Sequence, residues 1–384
     1  MRSGDFISND DIEPEGSYSV YGGNGLRGFS HQFNTTGPIV LVGRQGAHCG
    51  NVHVADGQIW VSEHALRCLP ERELDAKWLA YALQDMDLNQ YSVSAAQPGL
   101  SVDNLKHLRK AVPPLDTQRR IARFLDEKTA RIDTLIEKKG ELLDRLAEKR
   151  QTLITRAVTK GLNPDAPMKP SGIDWLGDIP AHWVTGNIRR FATMKTGHTP
   201  SRSHPEYWDD CTIPWFTLTD VWQLRDGTRW FLGETAEKIS EVGLDNSAAE
   251  LLPTGTVVFS RTASVGYSGI MPRPMATTQD FWNWVCGPRL TPEYLLLLFR
   301  SMTQKFDEST SGSTHKTIYQ GIAAGLLICV APIDEQKAIA SFVFKRSAEI
   351  DALAKQVRCS INCLSEYRSA LITAAVTGQV SELK

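Results

Sequence analysis

Chemistry is densest in the run Lys195-Thr196-Gly197-His198-Thr199-Pro200-Ser201-Arg202. Lys195 and Arg202 carry cations suited to phosphate, while Thr196, His198, Thr199 and Ser201 offer donors for phosphate or base edges. A second polar loop, Ser311 to Ile318, contributes Ser313, His315 and Lys316, and the strand-like run Thr256 to Ser260 leads into Arg261. The amino-terminal part holds a comparable set. There Ile39 to Val42 is followed by Arg44, and the stretch Tyr21-Gly22-Gly23-Asn24-Gly25 presents a ring and an amide suited to a base edge. The same stretch reads as a turn with several positive φ angles, and it matches neither a dinucleotide fingerprint nor a P-loop. For each of these loops the competing reading is a plain solvated connection.

Positioning these loops falls to a framework that occurs twice. Val112 to Leu162 aligns without gaps on Val330 to Val380, each residue meeting its partner 218 positions later. Val112, Pro114, Asp116, Gln118, Ile121, Ala122 and Phe124 return as Val330, Pro332, Asp334, Gln336, Ile339, Ala340 and Phe342. Leu153-Ile154-Thr155 and Ala157-Val158-Thr159 return as Leu371-Ile372-Thr373 and Ala375-Val376-Thr377. Roughly 20 of about 50 positions are identical, which makes the repeat an architectural unit. Prolines hold each copy's start extended, and the apolar spacing then turns helical. Ile132, Ile136, Leu143, Leu146 and Leu153 in one copy, with Ile350, Val357, Ile361, Leu364 and Leu371 in the other, form a coiled-coil seam. A helix of about 40 residues is on the order of 60 Å long, so two such helices are expected to pack as a rod. Arg150 and Arg368 fall at equivalent positions, with Glu148 and Glu366 as their expected partners across an antiparallel pair, or else they extend out of the seam.

The resulting plan is residues 1–111 globular, 112–160 helical, 161–172 a proline-rich stiff linker, 173–329 globular and 330–384 helical. At 384 residues, 41% hydrophobic and 22% charged, the chain suits a globular protein, and no apolar run is long enough to span a bilayer. The cytoplasm is the expected compartment. Seven cysteines without a CxxC pair fit reduced thiols. The net charge of −2 excludes an autonomous, strongly basic nucleic-acid binder. Residues 112–171 hold thirteen Lys and Arg against nine Asp and Glu, whereas residues 1–111 hold nine against thirteen and residues 172–330 thirteen against sixteen. Any DNA contact by the globular parts must therefore use small local patches, with partner proteins neutralising most of the phosphates.

Catalytic signatures are missing from the sequence. It has no Walker A loop, no H-E-x-x-H, no nucleophile elbow and no N-P-P-[YF] motif. His48, Cys49 and His53 lack a fourth ligand for zinc. Glu335-Gln336-Lys337 offers the acid and lysine of a nuclease centre, yet its repeat counterpart is Thr117-Gln118-Arg119, which favours a repeated structural turn.

The order of a globular part, P-x-D-x-Q-x-x-I-A-x-F, a long helix and L-I-T-x-A-V-T, all then repeated, resembles the specificity subunit of type I restriction-modification enzymes. Asp174-Trp175-Leu176-Gly177-Asp178-Ile179-Pro180-Ala181-His182-Trp183 and Thr196 to Arg202 add to the likeness. The resemblance covers nearly the whole chain. It implies an α+β protein with two similar α/β target-recognition domains, separated by two long helices in an antiparallel coiled coil with pseudo-twofold symmetry. Each domain would read half of a split double-stranded DNA site, and the helices would dock two modification (methyltransferase) subunits, with restriction subunits as further partners. No catalysis and no cofactor would belong to this chain; S-adenosylmethionine, ATP and Mg are expected on the partners. The alternatives are a coiled-coil scaffold that reads no DNA and a nuclease with an unrecognised centre. Met1 to Gly4 corresponds to Met194 to Gly197, so a lead like Asp174 to Phe191 of the second domain is expected either upstream of this start, or to be missing from an incomplete first domain, or to be replaced by a carboxy-terminal segment. That lead is expected to supply a strand and a packing Trp.

Overall fold

The computed structural model describes residues 1–46, 49–92, 99–262, 264–303, 305–306 and 317–383. The chain forms two compact units, Met1–Gly140 with Arg358–Lys384, and Glu141–Val357.

Both long helices start directly after a proline, as Leu115–Lys160 (46 residues) and Ile333–Val376 (44 residues). The glutamine of each repeated motif explains why the motif precedes a helix. Gln118 accepts the Asp75 N–H through Oε1 (2.9 Å) and donates Nε2 to Pro113 O (2.8 Å). Gln336 accepts the Thr291 N–H (2.8 Å) and donates to Ala331 O (2.7 Å) and Arg289 O (2.9 Å). Asp75 and Thr291 are themselves the N-caps of two short helices, α1 (Ala76–Asp85) and α2 (Pro292–Ser301). Each buried amide thus ties the start of a globular helix to the start of a long one. The first long helix stops at Gly161, whose φ of +73° suits a C-terminal glycine.

Within the first unit, Ile121, Ala122 and Leu125 pack with Ile372, Ala375, Val376 and the α1 residues Trp78 and Ala82. In the second, Ile154, Ala157 and Val158 share a core with Ile339, Ala340, Val343, Trp183 and Tyr294. The helices run antiparallel in each unit. Of the expected seam, Ile132, Leu146 and Val357 are buried, and Ile136, Leu143, Leu153, Ile350, Ile361, Leu364 and Leu371 are half-buried. The expected Arg–Glu pairs are replaced by Arg–Asp pairs: Arg368 binds Asp133, and Arg150 binds Asp351.

The first unit contains strands β1 (Arg2–Ser3), β2 (Tyr18–Gly22), β3 (Gly25–Ser30), β4 (Thr35–Thr36), β5 (Ile39–Gly43), β6 (Val52–Ala55), β7 (Gln58–Val61) and β8 (Ala65–Cys68). One sheet has the order β1-β8-β5-β6 and the other β3-β2-β7-β4. The second unit opens with β9 (Met168–Pro170), β10 (Asp178–Pro180) and β11 (Val184–Asn187), followed by β12 (Ala192–Thr196), β13 (Ile213–Phe216) and β14 (Glu237–Ile239). It continues with β15 (Val257–Ser260), β16 (Ser268–Ile270), β17 (Ala276–Thr277), β18 (Phe281–Cys286) and β19 (Leu327–Val330). Its main sheet, β12-β18-β15-β16, repeats the first unit's order, and β14-β13-β17 repeats the parallel pairing of β2 with β7 through β13 with β17. The globular parts are therefore duplicated as well as the helices.

Ahead of β12, Ile188 to Arg190 forms a 3-10 turn, because the Asn187 side chain caps the Arg189 N–H (2.9 Å). Met168–Pro170, inside the expected linker, pairs with β10. The lead of the second unit does supply a strand and a Trp: β11 pairs with β19, and the buried Trp183 donates its indole N–H to Glu335 Oε2 (3.0 Å), with His182 Nε2 at 2.8 Å. Glu335 is thus an anchor for the lead, and its repeat counterpart is Thr117.

Candidate nucleic-acid interface

Three segments of the second unit meet at one end of its main sheet. Strand β12 ends at Thr196, and the chain then passes so close to Thr277 that a Cβ on Gly197 would lie 2.1 Å from the Thr277 carbonyl oxygen. The His198 N–H donates to that same oxygen (3.0 Å), Thr199 Oγ1 donates to Gln279 Oε1 (2.8 Å), and the Trp215 indole donates to His198 O (3.3 Å). Ser201 is held through Ser203 Oγ (2.7 Å), and its carbonyl accepts the Trp208 indole N–H (3.2 Å). Past β15, the Arg261 N–H donates to Asp280 O (3.0 Å), and its guanidinium lies 4.5 Å from the Trp282 ring centroid. Arg261 O in turn accepts the Ile318 N–H (2.8 Å), and Thr262 bridges to Thr317. Ser313, His315 and Lys316 lie outside the described residues.

The two cations of the first loop are already matched by carboxylates. Lys195 Nζ sits 2.8 Å from Glu250, and Arg202 Nη2 sits 2.7 Å from Glu237 Oε2. The Arg202 guanidinium also lies flat enough to place its carbon 3.6 Å from the Trp208 ring centroid. Sequence reasoning missed Glu237, Glu250, Gln279 and Trp208. No local signal marks them, because all but Trp208 reach the loop from far along the chain.

The first unit repeats the arrangement. A Cβ on Gly4 would fall 2.2 Å from Ser62 O, and the next N–H, of Asp5, donates to Val61 O (3.0 Å). Arg44 matches Arg261: its carbonyl accepts the Leu100 N–H (2.8 Å), where Arg261 accepts that of Ile318. Its guanidinium is turned inward and donates to Ser3 Oγ (3.2 Å). The glycine-rich stretch is the β2–β3 hairpin, in which Gly25 alone, at +92°, has positive φ, rather than several residues. Half-buried Tyr21 pairs with Leu26 and Val61 through the backbone, and exposed Asn24 accepts from Asn51 Nδ2 (3.2 Å). The hairpin tip meets Arg44's neighbours, since a Cβ on Gly23 would lie 2.9 Å from Gln45 O. His48 lies outside the described residues, Cys49 is buried, and burial pulls the His53 imidazole pKa down. Among the described residues no three His, Cys, Asp or Glu side chains form a metal-binding group.

These duplicated sheets and loops have known relatives. The chain belongs to the type I restriction modification DNA specificity domain family, whose model matches residues 1–144 and 180–362. Over 139 residues it is 40% identical to the type I restriction enzyme EcoprrI specificity subunit of Escherichia coli, covering 35% of this chain and 34% of that one. The chain thus spans about a third of that relative's length. It is 22% identical over 350 residues to the putative type I restriction enzyme MjaX specificity subunit of Methanocaldococcus jannaschii, covering 87% of this chain and 76% of that one. A solved chain from work on the assembly and conformational transition of the type I R-M system shares the fold at a TM-score of 0.69 and 15% identity, covering 89% and 82% of the two chains.

Proposed function

We propose that this protein is the DNA-reading specificity subunit of a type I restriction-modification complex, each unit reading one half of a split double-stranded site. The observation that carries this reading is the recurrence of one loop architecture at the same end of the same sheet in both units. Gly4 and Gly197, Arg44 and Arg261, and Leu100 and Ile318 hold matching places. Two similar surfaces on one chain suit two half-sites, with phosphate contacts positioning each unit and base-edge contacts specifying its sequence.

The long helices are proposed to dock two modification subunits, with restriction subunits as further partners. Support comes from apolar side chains left exposed on them: Leu135 and Tyr367 in the first unit, Leu142 and Leu353 in the second. Methyl transfer and ATP-driven cleavage would then belong to those partners, together with S-adenosylmethionine, ATP and Mg. No described helix is long and apolar enough to cross a membrane, and the proposed place of action is the cytoplasm.

The test is to express the chain with its cognate modification subunits and map methylated positions across a genome. A two-part motif with a fixed gap is expected. Methylation at an unsplit motif, or none from an assembled complex, overturns the proposal.

A further inference from the structure

We propose that Arg202 and Glu237 together read one G·C base pair in the half-site of the second unit. This inference rests on the DNA-reading role proposed above. It changes the part that Arg202 plays from phosphate contact to base recognition.

A cation that only meets phosphate works through unneutralised charge and needs no fixed orientation. Arg202 has neither property. Its guanidinium is stacked 3.6 Å from the Trp208 centroid, lies 5.9 Å from that of Trp215, and is tied to Glu237 at 2.7 Å. The stacking surface is itself fixed, because the Trp208 indole N–H is held by Ser201 O and the Trp215 indole N–H by His198 O. Glu237 sits on β14, directly opposite Trp215 in the strand pairing. Yet both side chains remain open to solvent, Arg202 at 60% and Glu237 at 43%. A phosphate approaching this guanidinium would also approach a carboxylate of its own sign.

Base recognition turns each of these features to use. A guanidinium forms a planar fork with five N–H donors, and its two-pronged match in the major groove is guanine O6 and N7. A carboxylate accepts from cytosine N4, the group beside guanine O6 in the same pair. Stacking on Trp208 fixes the plane of the fork before DNA arrives, so orientation is not lost on binding. The neutral pair also avoids sequence-independent attraction to the backbone, which favours discrimination over affinity. Loop stability alone is a weak account of the arrangement, since exposed ion pairs and exposed cation–π contacts each contribute little. Lys195 with Glu250 makes no such prediction, because an ammonium lacks the planar fork.

The experiment uses the full chain assembled with its modification subunits and a duplex library randomised across the recognised site. Methylated products are sequenced for the wild type and for Arg202→Lys, Arg202→Ala and Glu237→Gln. The wild type is expected to require a G·C pair in one half-site. In all three variants the preference at that one position should fall about tenfold or more, with the other half-site unchanged. A wild-type split motif with unaltered base preference in Arg202→Lys and Glu237→Gln overturns this inference alone, as does a uniform loss of binding with a shallower salt dependence, the signature of a phosphate contact. A wild-type complex that selects no split motif overturns the DNA-reading role itself. Arg202→Lys and Glu237→Gln keep the loop's size, so they decide the matter if Arg202→Ala fails to assemble.

Discussion

Arg368 grips Asp133 with two prongs, Nε to Oδ1 at 2.8 Å and Nη2 to Oδ2 at 3.2 Å, and the repeat mates Arg150 and Asp351 form the same ion pair in the second unit. Asp133 and Asp351 are themselves equivalent, so one motif position supplies the acid and another the base in both units. A self-complementary register of this kind is what an antiparallel pairing of two copies of one sequence produces.

Because the Arg368 and Asp133 side chains are 30% and 51% exposed, solvent screens the pair. Arg368→Ala and Asp133→Ala should each destabilise by about 1 kcal/mol or less, and the double variant should lose less than the sum of the two. A double-mutant cycle from urea unfolding at low and high salt measures the coupling. Zero coupling at low salt would remove the pair as a register device.

The glutamine clamps matter more because they are buried. Gln118 and Gln336 are 2% and 0% exposed, and each satisfies backbone groups of two elements at once. Replacing either by Leu strands those groups, at about 1–3 kcal/mol for each one left unpaired. Gln336→Leu, which loses three bonds, should cost more than Gln118→Leu, which loses two. Equal denaturation midpoints for the two variants and the wild type would contradict the clamp.

Much of this framework was legible in the sequence, and the reasons are physical. The prolines, the glutamine and the apolar spacing act locally or along one helix, so the two long helices could be placed from Val112 and Val330 onward. The likeness of the two strand runs, Ile39 to Val42 before Arg44 and Thr256 to Ser260 before Arg261, also points to Arg44 and Arg261 as counterparts, and the structure gives them matching backbone partners. What escaped depends on long-range packing. Charge sign alone cannot fix which carboxylate faces Arg150 or Arg368, so the sequence offers Glu148 and Glu366, or no partner at all, where the fold supplies Asp351 and Asp133. Lys195 and Arg202 read as free cations because their carboxylates lie far along the chain, Glu237 on β14 and Glu250 in the loop before β15. Glu335 falls in a repeated turn by sequence, and only the fold shows it holding Trp183 and His182.

The cysteines give a pH-dependent check on the cores. Burial pushes the thiols of Cys68 and Cys329 up to about 12, and Cys329 Sγ also donates to Val158 O (3.2 Å), whereas Cys359 and Cys363 are exposed. Only the thiolate reacts with an alkylating agent. A raised pKa means that these two buried thiols stay protonated until well above neutral pH, so moving from about pH 7 to about pH 9 should not open them to iodoacetamide. Mass spectrometry should find Cys359 and Cys363 labelled first, and Cys68 and Cys329 only after unfolding. Equal labelling of Cys329 and Cys359 in the folded protein would contradict the described core.

If each unit reads a half-site as proposed, the length of the repeated helices is expected to govern the gap between the half-sites. The two units part at Gly140 and at Arg358, which are equivalent positions of the repeat. Inserting one heptad at both places keeps the apolar seam in phase and lengthens each helix by about 10 Å. Since duplex DNA advances about 3.4 Å per base pair, the gap between half-sites should grow by about three base pairs. The measurement is the methylation map of the doubly inserted chain, assembled with its modification subunits, beside that of the parent. The account predicts the same two half-site sequences with the longer gap; an unchanged gap, or altered half-sites, would contradict it.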